Sequence, residues 1–258
     1  MIRGLYNASA GMQVEQIRQD VIANNLANLN TSGFQREVAI LEARTKLALR
    51  RTNDPVSADP LAAKRRVPIG ELGTGVMVSR IFKRFEHGNM RESDNPFDLA
   101  LDGEGFFTVA DAKGDLLYTR SGEFTRDHNG MIVDKSGRAL MGRNGPIFVP
   151  SGGTFNVTLD GTVSVNGRGV DQLAVVEFES PEEDLMKVGD TAVKLMGNGV
   201  TRPARAEVHQ GMIEGPNVNP VQEMVEMIAA LRHYEANQRS LQAQDETLGK
   251  AVNEVAKG

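Results

Sequence analysis

Histidines are the first side chains to examine for metal or acid–base chemistry, because imidazole binds metal ions and titrates near neutral pH. The chain of 258 residues has four of them, His87, His128, His209 and His233. They are scattered and share no metal-ligand spacing, so we expect each to be a surface or packing residue. Cysteine is absent, which excludes a disulfide framework, a thiolate metal site and a cysteine nucleophile.

Three glycine-containing stretches begin like ligand-binding motifs but do not complete them. GEGFFT (103–108) starts like a dinucleotide fingerprint, but it lacks the final glycine and continues into a strand pattern. GTG (73–75) is not followed by the lysine of a phosphate-binding loop. Aligned as a calcium loop, TRDHNGMIVDKS (125–136) lacks both the leading aspartate and the final glutamate. We therefore expect no catalytic residue, no cofactor and no metal site, and no enzymatic activity.

Asparagine is unusually frequent where the first helical pattern ends. DVIANNLANLNTSGFQRE (20–37) has the apolar spacing of a helix but carries Asn24, Asn25, Asn28 and Asn30, although asparagine is a mediocre helix former. One interpretation is that these amides form hydrogen bonds across helix–helix seams and set their register. The alternative is that they weaken the last turn and help the helix to end at Gly33.

The N-terminal segment has two apolar stripes, at about 100° per residue, where a surface helix usually has one. We therefore expect this helix to be contacted from two sides. A single partner helix from the same chain would leave the second stripe exposed to water. The members are Met1, Leu5, Ala8 and Met12 on one side, and Ala10, Val14, Ile17 and Val21 on the other.

The C-terminal segment predicts a long helix that supplies the first partner. Asn219 fits an N-cap, Pro220 the first helical position and Gln222 a capping box. Neither glycine nor proline occurs from 221 to 248, and apolar residues recur every three or four positions, as in a coiled coil. Such a helix is about 55 Å long. The alternative is a core helix packed only on its own domain.

The middle of the chain reads as β-structure. PFDLALDGEGFFTV (96–109) alternates like a half-buried strand, and VTLDGTVSV (157–165) predicts a hairpin with a two-residue Asp160-Gly161 loop. We expect an antiparallel sandwich or barrel over 93–208, whereas 50–75, with its prolines and glycines, looks extended or loop-like. Further turns are predicted at Lys113-Gly114, Asn129-Gly130, Ser136-Gly137 and Asn166-Gly167.

Charge is unevenly distributed along the chain. The net charge is −5, yet residues 36–91 hold twelve Lys and Arg against six Asp and Glu. A basic segment on an acidic chain is either simply solvated or faces an acidic partner. Among partners we favour a protein over nucleic acid or a membrane, because Phe82 and Phe85 are the only aromatic residues among the basic ones. No apolar run is long enough to span a bilayer, and the first residues lack the apolar core of a cleavable signal peptide.

Six motifs cover nearly the whole chain. They are MIRGLYNASAGMQVEQ (1–16), ANNLANLNTSGFQRE (23–37), DLALDGEGFFTV (98–109), YTRSGEFTRDHNGMIVD (118–134), GPIFVP (145–150) and GMIEGPNVNPVQEMVEMIAALRHYEANQRSL (211–241). In sequence and in order, these motifs closely resemble those of the rod and hook proteins of the bacterial flagellum. Within that family, GPIFVP (145–150) and GMIEGPNVN (211–219) resemble proximal rod subunits, whereas IGELGTGV (69–76) also resembles distal rod subunits.

The resemblance implies an α+β structural subunit of the basal-body rod, with an antiparallel β-rich middle domain and terminal helices that pair in a coiled-coil-like arrangement. It implies a protein exported without a cleavable signal peptide through the flagellar type III apparatus into the periplasmic rod. The expected partners are copies of itself and other rod proteins, with no nucleic acid, membrane insertion or small-molecule substrate. The expected domains are 1–35 (assembly helix), 36–92 (extended or loop-rich connection), 93–208 (β-rich domain) and 209–258 (assembly helix).

Assembly contacts are expected from both ends. Each terminal helix would leave an apolar stripe without a partner in a free chain, so we expect both to be mobile until assembly orders them. The N-terminal interface residues are Leu5, Met12, Val14, Ile17, Val21, Asn24, Asn25, Leu26, Asn28, Gly33 and Phe34. The C-terminal ones are Asn217, Asn219, Met224, Ile228, Leu231, Tyr234, Leu241, Leu248 and Val252.

Two other functions remain as alternatives. An enzyme acting on a polymer such as peptidoglycan needs a pair of juxtaposed carboxylates, and Glu104, Asp127 and Asp134 are candidates among which the sequence distinguishes no pair. A soluble binding module or export chaperone would use the C-terminal helix to capture its partner, and would be a stably helical monomer.

Overall fold

The computed structural model describes residues 2–50, 68–189, 191–197 and 199–255. Long helices lie at both ends of the described chain, with one short helix and many short strands between them, so the α+β prediction is confirmed. Helix α3 begins at Pro220, the predicted first helical position. The helices are α1 (Ile2–Ala27), α2 (Pro181–Asp184) and α3 (Pro220–Val255).

The strands are short, and those with a described register pair antiparallel. The first ten are β1 (Glu37–Ala43), β2 (Leu47–Arg50), β3 (Pro68–Leu72), β4 (Val76–Lys83), β5 (Met90–Glu92), β6 (Leu99–Asp102), β7 (Phe106–Ala110), β8 (Leu116–Thr119), β9 (Phe124–Arg126) and β10 (Ile132–Asp134). The others are β11 (Ala139–Leu140), β12 (Phe155–Val157), β13 (Thr162–Val165), β14 (Arg168–Gln172), β15 (Val175–Phe178), β16 (Leu185–Val188), β17 (Ala192–Leu195), β18 (Thr201–Pro203), β19 (Glu207–Gln210) and β20 (Met212–Glu214).

The largest described sheet has nine strands, in the order β16-β17-β8-β7-β11-β10-β9, with β15 pairing both β7 and β18. A three-stranded sheet β12-β13-β14 follows, and β1-β4, β2-β3, β5-β20 and β6-β19 are two-stranded pairs. Each predicted turn joins two paired strands, and the predicted glycine has positive φ in every one of them. The hairpin at Asp160-Gly161 is confirmed, although its loop is longer than two residues because β12 ends at Val157.

The main apolar core lies within the β-rich part of the chain. Phe107 and Phe124 are fully buried and meet edge to face with ring centroids 5.5 Å apart. Around them pack side chains from strands and connecting segments, among them Leu99, Leu101, Ile132, Leu140, Ile147, Val149, Val163 and Val208. A second cluster contains Phe106, Tyr118, Phe178 and Val193. Burial of these large side chains is the main favourable contribution to folding.

Two expectations about the strands require correction. The stretch from Asp98 to Leu101 is buried throughout, so the half-buried pattern was wrong. Ala100 is small enough to pack on its face, and the Asp98 carboxylate accepts hydrogen bonds from Ser93 and Asn95. Much of the loop-like stretch 50–75 lies outside the described residues, but its described end forms strand β3.

The contacts divide the chain into two units. The first contains Met1–Asn24, Val38–Phe82 and Val221–Gly258, which include most of α1 and α3 and strands β2 and β3. The second contains Asn25–Glu37 and Lys83–Pro220, which include the main core. The chain therefore passes between the two units four times. No helix among the described residues is long and apolar enough to cross a membrane.

Candidate assembly interface

Asn25 uses its amide to hold the start of strand β1. Its Nδ2 donates to the Glu37 carbonyl at 2.9 Å, and its Oδ1 accepts from the Glu37 N–H at 2.9 Å. The amide thus takes the place of a neighbouring strand for one residue, and the side chain is almost completely buried. The Asn28 Oδ1 accepts a hydrogen bond from the Thr31 hydroxyl in the turn after α1. These hydrogen bonds go to a strand and to a turn, not across a helix–helix seam.

A buried ion pair lies at the end of strand β20. The Arg120 Nε donates to Glu214 Oε2 at 2.9 Å, and both side chains are more than nine-tenths buried. The second carboxylate oxygen, Oε1, accepts from the Gly88 N–H at 2.9 Å. Breaking a buried pair of this kind leaves an uncompensated charge, so the two side chains stabilise the fold jointly.

The remaining donors of Arg120 tie down the turn between β6 and β7. One guanidinium NH₂ donates to the carbonyls of Gly103 and Gly105, at 2.9 and 2.6 Å, and the other lies 2.8 Å from His87 Nδ1. Because arginine has no acceptor, His87 Nδ1 carries the lone pair in this contact. GEGFFT is therefore a structural turn held by an arginine.

Gly33 must be glycine for two reasons. Its φ is +66°, which favours glycine, and a Cβ there would collide with the backbone of Arg120 and Ser121. Its N–H donates to the Glu214 carbonyl at 2.8 Å. The adjacent Phe34 is fully buried, with the Lys83 Nζ 5.9 Å from its ring centroid. Both residues were predicted at an assembly interface, but they lie inside the second unit.

Asn217 joins two segments within the second unit. Its Oδ1 accepts from the Arg36 N–H at 2.7 Å, and its Nδ2 donates to the carbonyls of Arg84 and Glu86, at 2.7 and 3.1 Å. Satisfying three backbone groups with one amide makes this a positioning residue of the connecting segments. The neighbouring Asn219 is exposed immediately before α3.

The second apolar stripe of α1 is covered by the chain itself. Ala10, Val14 and Val21 are at most 7% exposed, and Gly75, between β3 and β4, approaches Ala10 closely. The expectation that the free chain leaves this stripe exposed was therefore wrong, and the segment between β3 and β4 contributes to its cover at Ala10. Other predicted N-terminal residues are half-buried: Leu5, Met12, Ile17, Asn24, Leu26 and Asn28.

Helices α1 and α3 contact each other at three described places within the first unit. Gly4 lies against the Gln244 amide, and a Cβ built at Gly11 would lie 2.8 Å from Asn237 Nδ2. The His233 Nδ1 lies 3.6 Å from Glu15 Oε1. As the residue number rises along α1 it falls along α3, so the two helices run antiparallel.

The predicted C-terminal residues separate into two groups. Tyr234, Leu241 and Leu248 are half-buried, and they alternate along α3 with the two amides that face α1. Met224, Ile228, Leu231 and Val252 are about half or more exposed. Together with Val221 and Val225, the first three of these form a patch that we call the α3 stripe (Val221, Met224, Val225, Ile228 and Leu231), with exposures of 46–66%. At about 100° per residue, the centre of the stripe lies roughly 150° around the helix from Leu241.

Of the three carboxylates of the enzyme alternative, Glu104 is exposed, and Asp127 and Asp134 accept hydrogen bonds within their own turns. Asp127 Oδ1 accepts from the N–H groups of Asn129 and Met131, both at 2.8 Å. Burial alone would raise the pKa of Asp127, but hydrogen bonds, with those from Met131 and Asn129 foremost, hold it below its ordinary value. Asp134 Oδ1 likewise accepts from the N–H groups of Ser136 and Arg138, and its Oδ2 accepts from Arg138 Nε at 2.6 Å. Within the described ranges, no three His, Asp or Glu side chains are grouped to hold a metal ion.

Sequence reasoning did not single out Arg120 or Glu214. Both lie in motifs quoted above, YTRSG and GMIEG, but the pair spans 94 positions, so no local spacing reveals it.

Comparison with known proteins identifies the family. Residues 5–35 match the family described as flagella basal body rod protein, residues 100–165 the flagellar hook protein FlgE/F/G D1 domain, and residues 209–254 the flagellar basal body rod FlgEFG protein C-terminal. The first and last matches contain most of α1 and α3, and the second contains Arg120 and the turn between β6 and β7 that it binds.

Whole-length relatives agree with these matches. The chain is 34% identical to the flagellar basal-body rod protein FlgG of Buchnera aphidicola subsp. Schizaphis graminum, over 97% of this chain and 98% of the relative. It is 30% identical to FlgG of Borreliella burgdorferi, over 98% of both chains, and 31% identical to the flagellar basal-body rod protein FlgF of Caulobacter vibrioides, over 92% and 91%. The chain therefore belongs to the flagellar basal-body rod protein family.

Proposed function

We propose that this chain is a structural subunit of the rod and that it attaches to neighbouring subunits through the α3 stripe. The observation that carries the proposal is that five large apolar side chains, Val221, Met224, Val225, Ile228 and Leu231, are 46–66% exposed in a single chain. A contiguous exposed apolar patch marks an interaction site, and removing the exposed half of each such side chain from water gives on the order of 1 kcal/mol. Family membership supports rod neighbours as the partners.

Under this proposal, α1 and α3 pair in a coiled-coil-like manner, and the pairing holds in place the helix that carries the α3 stripe. Buried or half-buried positions recur on both helices in alternating steps of three and four, which is coiled-coil spacing. On α1 they are Gly4, Ala8, Gly11, Glu15, Arg18 and Ile22, and on α3 they are Ala230, Tyr234, Asn237, Leu241, Gln244 and Leu248. Tyr234, Leu241 and Leu248 then belong to this internal seam.

The predicted assembly residues act in two ways under this proposal. Met224, Ile228 and Leu231 contact a neighbouring subunit directly, because about half of each side chain is exposed to solvent. The buried residues Val14, Val21, Asn25, Gly33 and Phe34 act indirectly, by fixing the chain that carries the interface. A stripe on one subunit that binds a different surface of the next is a heterologous contact, which generates a filament when the rotation does not close.

The partners are copies of this chain and other rod proteins, reached after export through the flagellar type III apparatus to the periplasmic rod. Membership of the flagellar basal-body rod protein family supports that destination. The relatives include both FlgG and FlgF proteins, and the motifs at 145–150 and 211–219 support the proximal branch, that of FlgF. The structural role is common to both branches.

The proposal is tested by making the α3 stripe polar. Cells whose only copy carries Met224→Ser, Val225→Ser and Ile228→Ser should build at least about tenfold fewer complete rods, since truncating buried interface side chains costs 1 kcal/mol or more each. The purified variant should keep its helical circular dichroism and melting temperature, because all three side chains are exposed.

A matched control carries Gln238→Ser, Arg239→Ser and Gln242→Ser, three exposed polar positions of the same helix. It should assemble like the parent. Normal rod numbers with the stripe variant, counted in isolated basal bodies, would contradict the proposal.

A further inference from the structure

We propose that two amide–glycine pairs, Gly4 with Gln244 and Gly11 with Asn237, fix the register in which α1 and α3 pair. The inference rests on the pairing proposed above and adds which residues specify it. In both pairs the amide occupies the space that a Cβ would need, so each glycine forms a notch that one amide fills.

The three described contacts between the helices obey one rule. Gly4 faces Gln244, Gly11 faces Asn237, and Glu15 faces His233, so in each case the two residue numbers add to 248. The same rule places the fully buried Ala230 opposite Arg18. A constant sum over more than ten residues of α1 means that one straight register holds along the seam.

No other register seats both amides against glycine. A shift of one heptad in one direction places Gln244 opposite Gly11 but Asn237 opposite Arg18. A heptad shift in the other direction places Asn237 opposite Gly4 but carries Gln244 beyond Ile2, the first residue of α1.

Smaller shifts fail for a similar reason. A displacement of about one helical turn places Asn237 opposite Ala8 or Glu15, and both of these carry the Cβ that glycine lacks. Overpacking a tight contact by even one carbon forces side chains or backbone to move.

The Gln244 amide is a poor choice for stability and a good one for specificity. Its Oε1 is buried without a hydrogen-bond partner among the described residues, and an unsatisfied buried polar atom is costly. Polar residues in a helical seam are best attested as devices that set register at some cost in stability. The helical seam of this chain therefore specifies its alignment by shape and polarity instead of maximising apolar contact.

One consequence concerns the α3 stripe. A register slip of one heptad moves α3 by about 10 Å along α1, which would displace every contact that the stripe makes. The two pairs therefore position the interface in addition to holding the helices together.

The register is measurable as a distance, because the chain has no cysteine of its own. Spin labels on Asp20→Cys and Ser240→Cys sit at exposed positions of α1 and α3, displaced along the axis. A slip of one heptad changes their axial separation by about 10 Å, and pulsed electron paramagnetic resonance resolves such a change. In the full chain diluted with unlabelled protein, we expect a single narrow distance, unchanged by dilution because the pairing is within one chain.

Two variants test the notches. Gly11→Leu fills one notch, and it should broaden the distance distribution or shift it as expected for an axial slip of about 10 Å. The control Gly249→Leu should leave the distribution unchanged, because nothing lies within 4 Å of that glycine. If Gly11→Leu also loses helical circular dichroism, the double variant Asn237→Leu with Gln244→Met decides. It nearly conserves volume, so it should keep the helices and add a second, displaced distance.

The inference is overturned if the parent distance is already broad, if it vanishes on dilution, or if both seam variants keep the single parental distance. These outcomes are separable from the test of function. A seam that slips freely leaves the requirement for the α3 stripe in rod assembly intact, and loss of that requirement leaves the measured register intact.

Discussion

At the scale of single residues, the asparagine-rich end of α1 illustrates how one amide can replace a strand neighbour. The sequence marks Asn25 as unusual, since its cluster sits where helix formers are expected. Its partner, the Glu37 backbone, lies twelve residues away. No helical periodicity predicts that contact, which depends on where the chain after Gly33 turns back.

We predict that Asn25→Ala destabilises the chain by about 2–4 kcal/mol. The substitution removes two hydrogen bonds and leaves the buried N–H and carbonyl of Glu37 unsatisfied. Urea denaturation followed by circular dichroism measures the change. Asn30→Ala, at an exposed position, should stay within about 0.5 kcal/mol of the parent. Equal effects of the two substitutions would contradict the assigned role of Asn25.

The buried ion pair gives a second prediction at this scale. Arg120→Met should cost about 3–5 kcal/mol, because the Glu214 carboxylate is then buried without its countercharge. The double variant with Glu214→Gln should be more stable than the sum of the two single effects predicts. The exposed pair of Arg202 and Glu179, at 3.5 Å, is the control, and Arg202→Met should cost less than about 1 kcal/mol.

At the scale of elements, patterns that depend on local chemistry were predictable. The start of α3 at Pro220 follows from capping preferences, and the hairpin turns follow from their glycines. The burial of Asp98 just before β6 was not predictable, because it depends on Ser93 and Asn95 donating to its carboxylate. The cover of α1 by the β3–β4 segment likewise arises from contacts distant in sequence.

Replacing glycine by alanine should affect stability differently in the two long helices. Gly249→Ala should stabilise the chain by up to about 1 kcal/mol, since alanine is the better helix former and the site is open. Gly11→Ala gains the same propensity but forces the Asn237 amide to move. We expect it to be at least about 1 kcal/mol less favourable than Gly249→Ala in thermal unfolding. Equal stabilisation by both would show that the contact with Asn237 is loose.

At the scale of the whole molecule, the two units differ in how they are stabilised. The second unit has the large aromatic and aliphatic core around Phe107 and Phe124. In the first unit, the described contacts between α1 and α3 are made by glycines and polar side chains. The atoms Gln19 Nε2 and Gln244 Oε1 are buried there without hydrogen-bond partners among the described residues. The sequence patterns predict four consecutive domains. They do not predict that the chain passes between two units four times.

We predict that hydrogen exchange in the free chain is fastest in the two long helices and slowest in strands β7, β8 and β10. Local opening requires less free energy where few apolar contacts are broken. Exchange measured by mass spectrometry should slow further in α3 when rods form, because a neighbouring subunit then covers the α3 stripe. Amides of α3 that already exchange as slowly as those of β7 in the free chain would contradict it.

Attachment of the subunit through the outer side of α3 is tested most directly by the accessibility of one side chain. In the naturally cysteine-free chain, Ile228→Cys places a thiol at a position that is 52% exposed, and a maleimide reagent should label it readily in the free protein. In basal bodies isolated from cells with this variant as the only copy, we predict that labelling falls at least about tenfold because a neighbouring subunit covers the site. Equal labelling of the free and assembled protein would show that the α3 stripe faces solvent in the rod.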